Sequence, residues 1–75
     1  MSARLPSVAA KELVRVLERA GYVFQTQKGS HATFRNPESR RTVVVPMHPG
    51  DLKRPLLKAI LHQAGLSEDE FRSLL

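Results

Sequence analysis

The run from Ser30 to Arg35 is the strongest constraint on what this chain can fold into. It alternates: Ala32 and Phe34 point one way, while His31, Thr33 and Arg35 point the other. A strand with that pattern buries one face and shows the other to solvent, so it belongs in a sheet covered on one side only. His31 falls on the polar face, just past Gly29 and between the cations Lys28 and Arg35. An imidazole exchanges protons near neutral pH, and a cationic setting for it suits a polyanionic substrate.

With 75 residues the chain forms one small domain, residues 1–75, with no room for a second core or a deep cleft. Any chemistry therefore happens on an open surface or at an interface. The absence of cysteine excludes disulfides and thiolate metal sites, so the fold relies on packing alone, with a partner as possible support. The formal net charge is +5, and its distribution says more than its total. Lys28, Arg35, Arg40, Arg41, Lys53, Arg54 and Lys58 stand in the middle of the chain against only Glu38 and Asp51. The last ten residues instead carry Arg72 against Glu68, Asp69 and Glu70. A basic centre of this kind points to a nucleic-acid-facing side; the plainer reading is a solvated surface. No apolar run is long enough to span a membrane, and the first residues lack the apolar region of a secretory signal, so a cytoplasmic location is expected.

Leu13, Val16, Leu17 and Ala20 recur at helical spacing, with Lys11, Arg15 and Glu18 on another side. Ser7 is a suitable N-cap for this helix and Gly21 a suitable residue just past its end. Tyr22 to Gln27 is rich in strand formers, Lys28-Gly29 reads as a turn, and Ser30 to Arg35 is the second strand. Asn36 to Arg40 is a polar turn segment, and Arg41 to Met47 is a third strand centred on three valines. Such short connections imply an antiparallel meander. After the loop His48-Pro49-Gly50-Asp51, a helix starts near Pro55 and runs to Ala64, where Gly65 ends it. Leu56, Ile60 and Ala64 are expected as its apolar stripe, with Leu57 and Leu61 beside it. Ser67-Glu68-Asp69-Glu70 is a capping box opening a short last helix, whose Phe71, Leu74 and Leu75 dock on the core. The expected fold class is α+β: helix, three antiparallel strands, helix, short helix. That order resembles the double-stranded-RNA-binding domain, with helices on one sheet face and the other left open.

Several stretches together resemble the HicA toxin family, also described as YcfA-like RNA-cleaving proteins. They are Lys11-Glu12-Leu13-Val14, Glu18-Arg19-Ala20-Gly21-Tyr22, Gln27-Lys28-Gly29-Ser30-His31, Val43-Val44-Val45-Pro46 before His48, Leu56 to Leu61, and Gln63-Ala64-Gly65-Leu66-Ser67. The resemblance implies the toxin half of a toxin–antitoxin pair, an endoribonuclease cleaving mRNA. It also implies a HicB-type antitoxin as partner, and His31 as the catalytic histidine, since the family's histidine follows Gly-Ser. Many members carry a second histidine directly after the first; here that position is Ala32, which excludes a mechanism using two adjacent histidines.

RNA cleavage needs a group that takes the 2′-hydroxyl proton or protonates the departing 5′-oxygen, and imidazole suits either task. RNA supplies its own nucleophile, so no cofactor or metal is expected. Lys28, Ser30, Arg35, Arg40 and Arg41 are the candidate RNA contacts, with Lys53 and Arg54 as outlying ones. For each cation the plainer alternative is an ordinary solvated side chain, and for Ser30 a turn-satisfying hydroxyl. His48 and His62 show no metal-ligand spacing with His31. His48 is a candidate second proton carrier if strand three lies beside strand two. Phe34 shares the face of Ala32, so it belongs to the core rather than to base stacking; the parity of Tyr22 and Phe24 does not say which face they take. The alternative function is a non-catalytic double-stranded-RNA-binding module, and a third reading is a basic protein-interaction domain.

Overall fold

A computed structural model describes residues 5–75; Arg4, one of the cations of the first segment, lies outside them. The chain runs α1 (Ala10–Arg19), β1 (Val23–Lys28), β2 (His31–Arg35), β3 (Thr42–Pro46), α2 (Arg54–Ala64) and α3 (Glu68–Leu74). The strands form one antiparallel sheet in the order β1-β2-β3, so the meander and the α+β class are as expected.

Hydrophobic spacing builds α1. Leu13, Val16 and Leu17 are fully buried, and Ala10 nearly so. The helix ends in a Schellman motif: Tyr22 N–H reaches the Leu17 carbonyl at 2.8 Å and Gly21 N–H the Glu18 carbonyl at 3.0 Å. Gly21 adopts φ +98°, a conformation glycine takes at little cost. The start of α1 differs from expectation. Ala9, not Ser7, holds the N-cap position, and the Glu12 carboxylate accepts its backbone N–H at 3.0 Å. Ser7 is drawn elsewhere: its hydroxyl donates to Asp51 Oδ2 at 3.2 Å. Beside it Leu52 N–H meets the Val8 carbonyl at 2.8 Å, and Ala9 bridges Asp51. The chain before α1 is thus used to tie down the loop after β3 rather than to cap a helix.

The core lies between the helices and one face of β2 and β3. Ala32, Phe34, Val43 and Val45 point into it from the sheet. From α2 come Leu57, Ile60, Leu61 and Ala64, as expected, while Leu56 is 42% exposed and falls outside the apolar stripe. Pro55 sits in the first turn of α2, where no helical N–H is lost. The capping box of α3 forms as expected, with Glu70 N–H to Ser67 Oγ at 3.0 Å and Ser67 N–H to Glu70 Oε1 at 2.9 Å. It delivers Phe71 into the core at 0% exposure.

β1 is different: all six of its residues are exposed. The helical layer reaches only as far as β2. The register resolves the parity left open for Phe24. It pairs with Phe34 and therefore lies on the helix-facing side, edge to face against that ring at 5.8 Å, but beyond the cover of the helices and 52% exposed. The register slips between Phe24 and Thr26, leaving Gln25 as an extra, bulged residue. Tyr22, just before β1, is buried, and its hydroxyl donates to the Ala64 carbonyl at the end of α2 at 2.6 Å.

Burial pushes the Tyr22 phenol above its usual value, with the Arg41 charge and the Ser39 side chain pulling partly against it. The unfolded phenol ionises near pH 10 and the folded one later. Tyr22 therefore contributes its full stability below about pH 10, and that contribution falls as pH rises towards the folded value. Tyr22→Phe should cost about 1 kcal/mol at pH 7 through the lost hydrogen bond. It should also remove this part of the alkaline decline. Denaturant titrations at pH 7 and at pH 11 check both, and an identical alkaline decline in the two proteins would contradict the assignment.

Candidate active site on the open sheet face

Burying Ala32 and Phe34 forces the alternate residues of β2 outward. The register then assembles the open face row by row. Lys28, His31 and Pro46 form the first row; Thr26, Thr33 and Val44 the second; Val23, Arg35 and Thr42 the third. His31 is exposed on the central strand, with Lys28 directly opposite on β1. Side chains so paired have Cβ atoms about 4.5–5.5 Å apart, so the ammonium and the imidazole serve one small region of surface.

The turn that presents His31 is Gly29-Ser30, one residue later than the expected Lys28-Gly29. Gly29 has φ +57° and Ser30 does not have a positive φ, the combination of a type II′ hairpin turn. Gln27 Nε2 donates to the Gly29 carbonyl at 3.0 Å, bracing the turn from β1. The Ser30 carbonyl accepts the Met47 N–H from the other side. Ser30 is half-buried within this brace and adjoins His31 in sequence.

The Met47 bond also brings His48 to the site. The rings of His31 and His48 lie with centroids 6.2 Å apart and nearly perpendicular, at 80°. The loop carrying His48 is held at its far end by the Ser7–Asp51 and Val8–Leu52 bonds described above. Spacing along the sequence gives no sign of this meeting; it needs the register of β3 on β2. Alongside runs a shallow groove lined by Ala9, Ala10, Lys11, Met47, His48 and Pro49. Lys11 thus stands on the rim beside the second imidazole, a neighbour that the helical pattern of α1 alone does not reveal.

The remaining candidate cations divide by position. Arg35 is on the open face, two rows from His31. Arg40 occupies the β2–β3 turn with φ +65°. Arg41 turns to the helix side: its guanidinium donates to the Gln63 carbonyl at 3.2 Å and lies over Gly65, where an added Cβ would meet its Nε at 2.9 Å. Both arginines sit beyond the far end of β2, whose last residue, Arg35, is already about 13 Å from His31 along the strand. Lys53 is the exposed N-cap of α2, and Arg54 Nε donates to the Leu5 carbonyl at 2.7 Å. His62 is exposed on α2 and lines a separate groove with Lys58 and Glu68. Among the described residues no three side chains of metal-ligating type come together. The arrangement offers two imidazoles, one ammonium across the strand and one on the rim, on a surface wide enough for a chain-like anion.

Gly29→Ala tests how firmly the turn holds His31. An added Cβ there meets nothing within 4 Å, so its cost is purely backbone strain, about 1–2 kcal/mol. The midpoint of thermal unfolding should fall by about 4–8 °C per kcal/mol lost. An unchanged midpoint by circular dichroism would show that the turn relaxes into another type.

Comparison with known proteins identifies the family of the chain. The family described as HicA toxin of bacterial toxin-antitoxin systems matches residues 10–66, from the start of α1 to just past α2. No curated protein matches the chain. The family match covers well over half of the sequence and includes every element of the open face, and the chain belongs to the HicA toxin family.

Proposed function

We propose that this HicA-family toxin is an endoribonuclease that cleaves mRNA without a metal, with His31 as a proton-transfer residue. The observation that carries the reading is the placement of His31. It projects from the central strand of an uncovered sheet face, with Lys28 across the strand and a groove beside it. An RNA chain laid on this face meets His31 without entering a cleft. The 2′-hydroxyl attacks the adjacent phosphorus, and the P–O5′ bond breaks. The products are a 2′,3′-cyclic phosphate and a 5′-hydroxyl. Lys28 faces the charge that builds on the non-bridging oxygens, and fixed positive charge near that point lowers the barrier. Arg35 continues the cationic track along β2, and Arg40 extends it to the far end of the hairpin, while Arg41 stays on the helix side with the Gln63 carbonyl. Ser30 offers a hydroxyl next to the reacting phosphate.

Membership of a toxin–antitoxin family implies an antitoxin partner. In this reading a HicB-type antitoxin covers the open face, which none of the described elements lies over. Acidic side chains attracted by the same cations would steer a fast association. A stable, specific cover of this kind buries roughly 1,600 Å² in total.

His31→Ala should abolish cleavage of a defined RNA in EDTA-containing buffer while leaving the circular dichroism spectrum unchanged, because an exposed residue contributes only about ±0.5 kcal/mol to stability. Full activity in the folded variant would remove His31 from the mechanism. Activity lost in EDTA and restored by one divalent ion would remove the metal-free reading. Binding without cleavage by the wild type would favour the non-catalytic RNA-binding module.

Binding itself should weaken with salt. If about four phosphates are neutralised on a single strand, log K falls against log salt with a slope near −3. Lys28→Ala and Arg35→Ala should each flatten it. A slope near zero would make the basic segment a solvated surface only.

A further inference from the structure

We propose that His48 is the second proton-transfer group of this site, so that the two imidazoles divide between them the two proton transfers of RNA cleavage. The inference rests on the endoribonuclease reading above and adds a residue to it. In-line attack on a phosphodiester places the entering 2′-oxygen and the departing 5′-oxygen on opposite sides of phosphorus. One group must take a proton from the first and another give a proton to the second. A single imidazole cannot face both oxygens at once. Each partner must come within about 2.6–3.2 Å of its oxygen. Rings with centroids 6.2 Å apart are close enough for one phosphate to lie between them with a hydrogen bond of about 2.6–3.2 Å from an ester oxygen on each side.

The rest of the neighbourhood narrows the choice to His48. Lys28 shares the first row with His31, and Lys11 lines the groove with His48; both are cations suited to holding phosphate. The nearby carboxylate, Asp51, is engaged by the Ser7 hydroxyl. His62 belongs to a different groove. His48 is held in place from both ends of its loop, by Met47 N–H on the Ser30 carbonyl and by the Leu52–Val8 bond. A loop tethered to the very turn that presents His31 keeps the two rings in register, as a concerted pair requires.

The step balances with these groups alone. One neutral imidazole accepts the 2′-hydroxyl proton as the 2′-O–P bond forms. The other, protonated, donates to the 5′-oxygen as the P–O5′ bond breaks. After one cleavage the two rings have exchanged protonation states, and proton exchange with water restores them.

The test uses single-turnover cleavage by the wild type, His31→Ala and His48→Ala on two oligonucleotides. One is ordinary RNA, and the other carries sulfur in place of the departing 5′-oxygen. A thiolate leaves without needing a proton. His48→Ala should cleave ordinary RNA about 10²–10⁴-fold more slowly than wild type. One of the two histidine variants, the one lacking the acid, should recover to near the wild-type rate on the sulfur substrate; the one lacking the base should not. Rescue of either variant supports the division of labour and assigns the roles. Near-wild-type cleavage of ordinary RNA by His48→Ala, with His31→Ala inactive, would overturn the proposal and leave the endoribonuclease reading standing. Slow cleavage by both variants with no rescue of either would also overturn it, since a ring that merely positions His31 predicts that outcome. A wild type that cleaves neither substrate would sink both readings together.

Discussion

Ala32 and Phe34 set the arrangement of everything else. They are the residues of the central strand that the core must bury, and they meet Val43 and Val45 of β3 under the layer of helices. A chain of this size has enough apolar side chains to cover one sheet face and no more. The pleat then leaves no choice about the other face: His31, Thr33 and Arg35 are turned to water because their neighbours are turned to oil. The candidate site is thus a by-product of the core pattern. A one-residue slip of β2 would bury the imidazole and expose the phenylalanine, so the packing that stabilises the fold also fixes which face is reactive.

Much of this was legible in the sequence, and the reasons for what was not are local. Helix α1, its glycine stop and the capping box of α3 follow from spacing and cap chemistry that tertiary packing did not alter. Ser7 had the chemistry of an N-cap, but the loop after β3 offered it a carboxylate, and Glu12 took over the cap from inside the helix. Leu56 matched the helical period of α2 yet stayed in water, because burial there follows the direction of the sheet and not the period alone. Arg41 looked like one more phosphate-seeking cation. Its place beside β3 sends it instead to carbonyl groups at the end of α2, where helices carry partial negative charge. The site shows the same division. His31 could be placed from alternation within one strand. Its meeting with His48 depends on how β3 registers on β2 and where the following loop turns, and neither is a property of any single segment.

Smallness also shapes the chemistry. A site without walls cannot exclude water, so it cannot rely on a low-dielectric pocket to strengthen its charges. What remains is placement: two rings and a lysine held by backbone hydrogen bonds and a glycine turn rather than by a cavity. Such a site is also open to any partner that fits the sheet, which makes control by direct cover a simple solution for a toxin whose family pairs it with an antitoxin.

The bare outer strand has a further consequence. β1 contributes no buried side chain, and its ladder is interrupted at Gln25, so Tyr22 at its base, the Phe24–Phe34 ring contact and the hairpin bonds to β2 hold it. Segments with little burial open locally at a fraction of the free energy of global unfolding. β1, exposed along its whole length, is a strand whose opening costs less than that of the core. Its two ends, Tyr22 in the core and the braced Gly29-Ser30 turn, are what keep Lys28 opposite His31. The phosphate grip therefore depends on how firmly this outer strand is held, whereas the two imidazoles stand on β2 and on the loop tied to it.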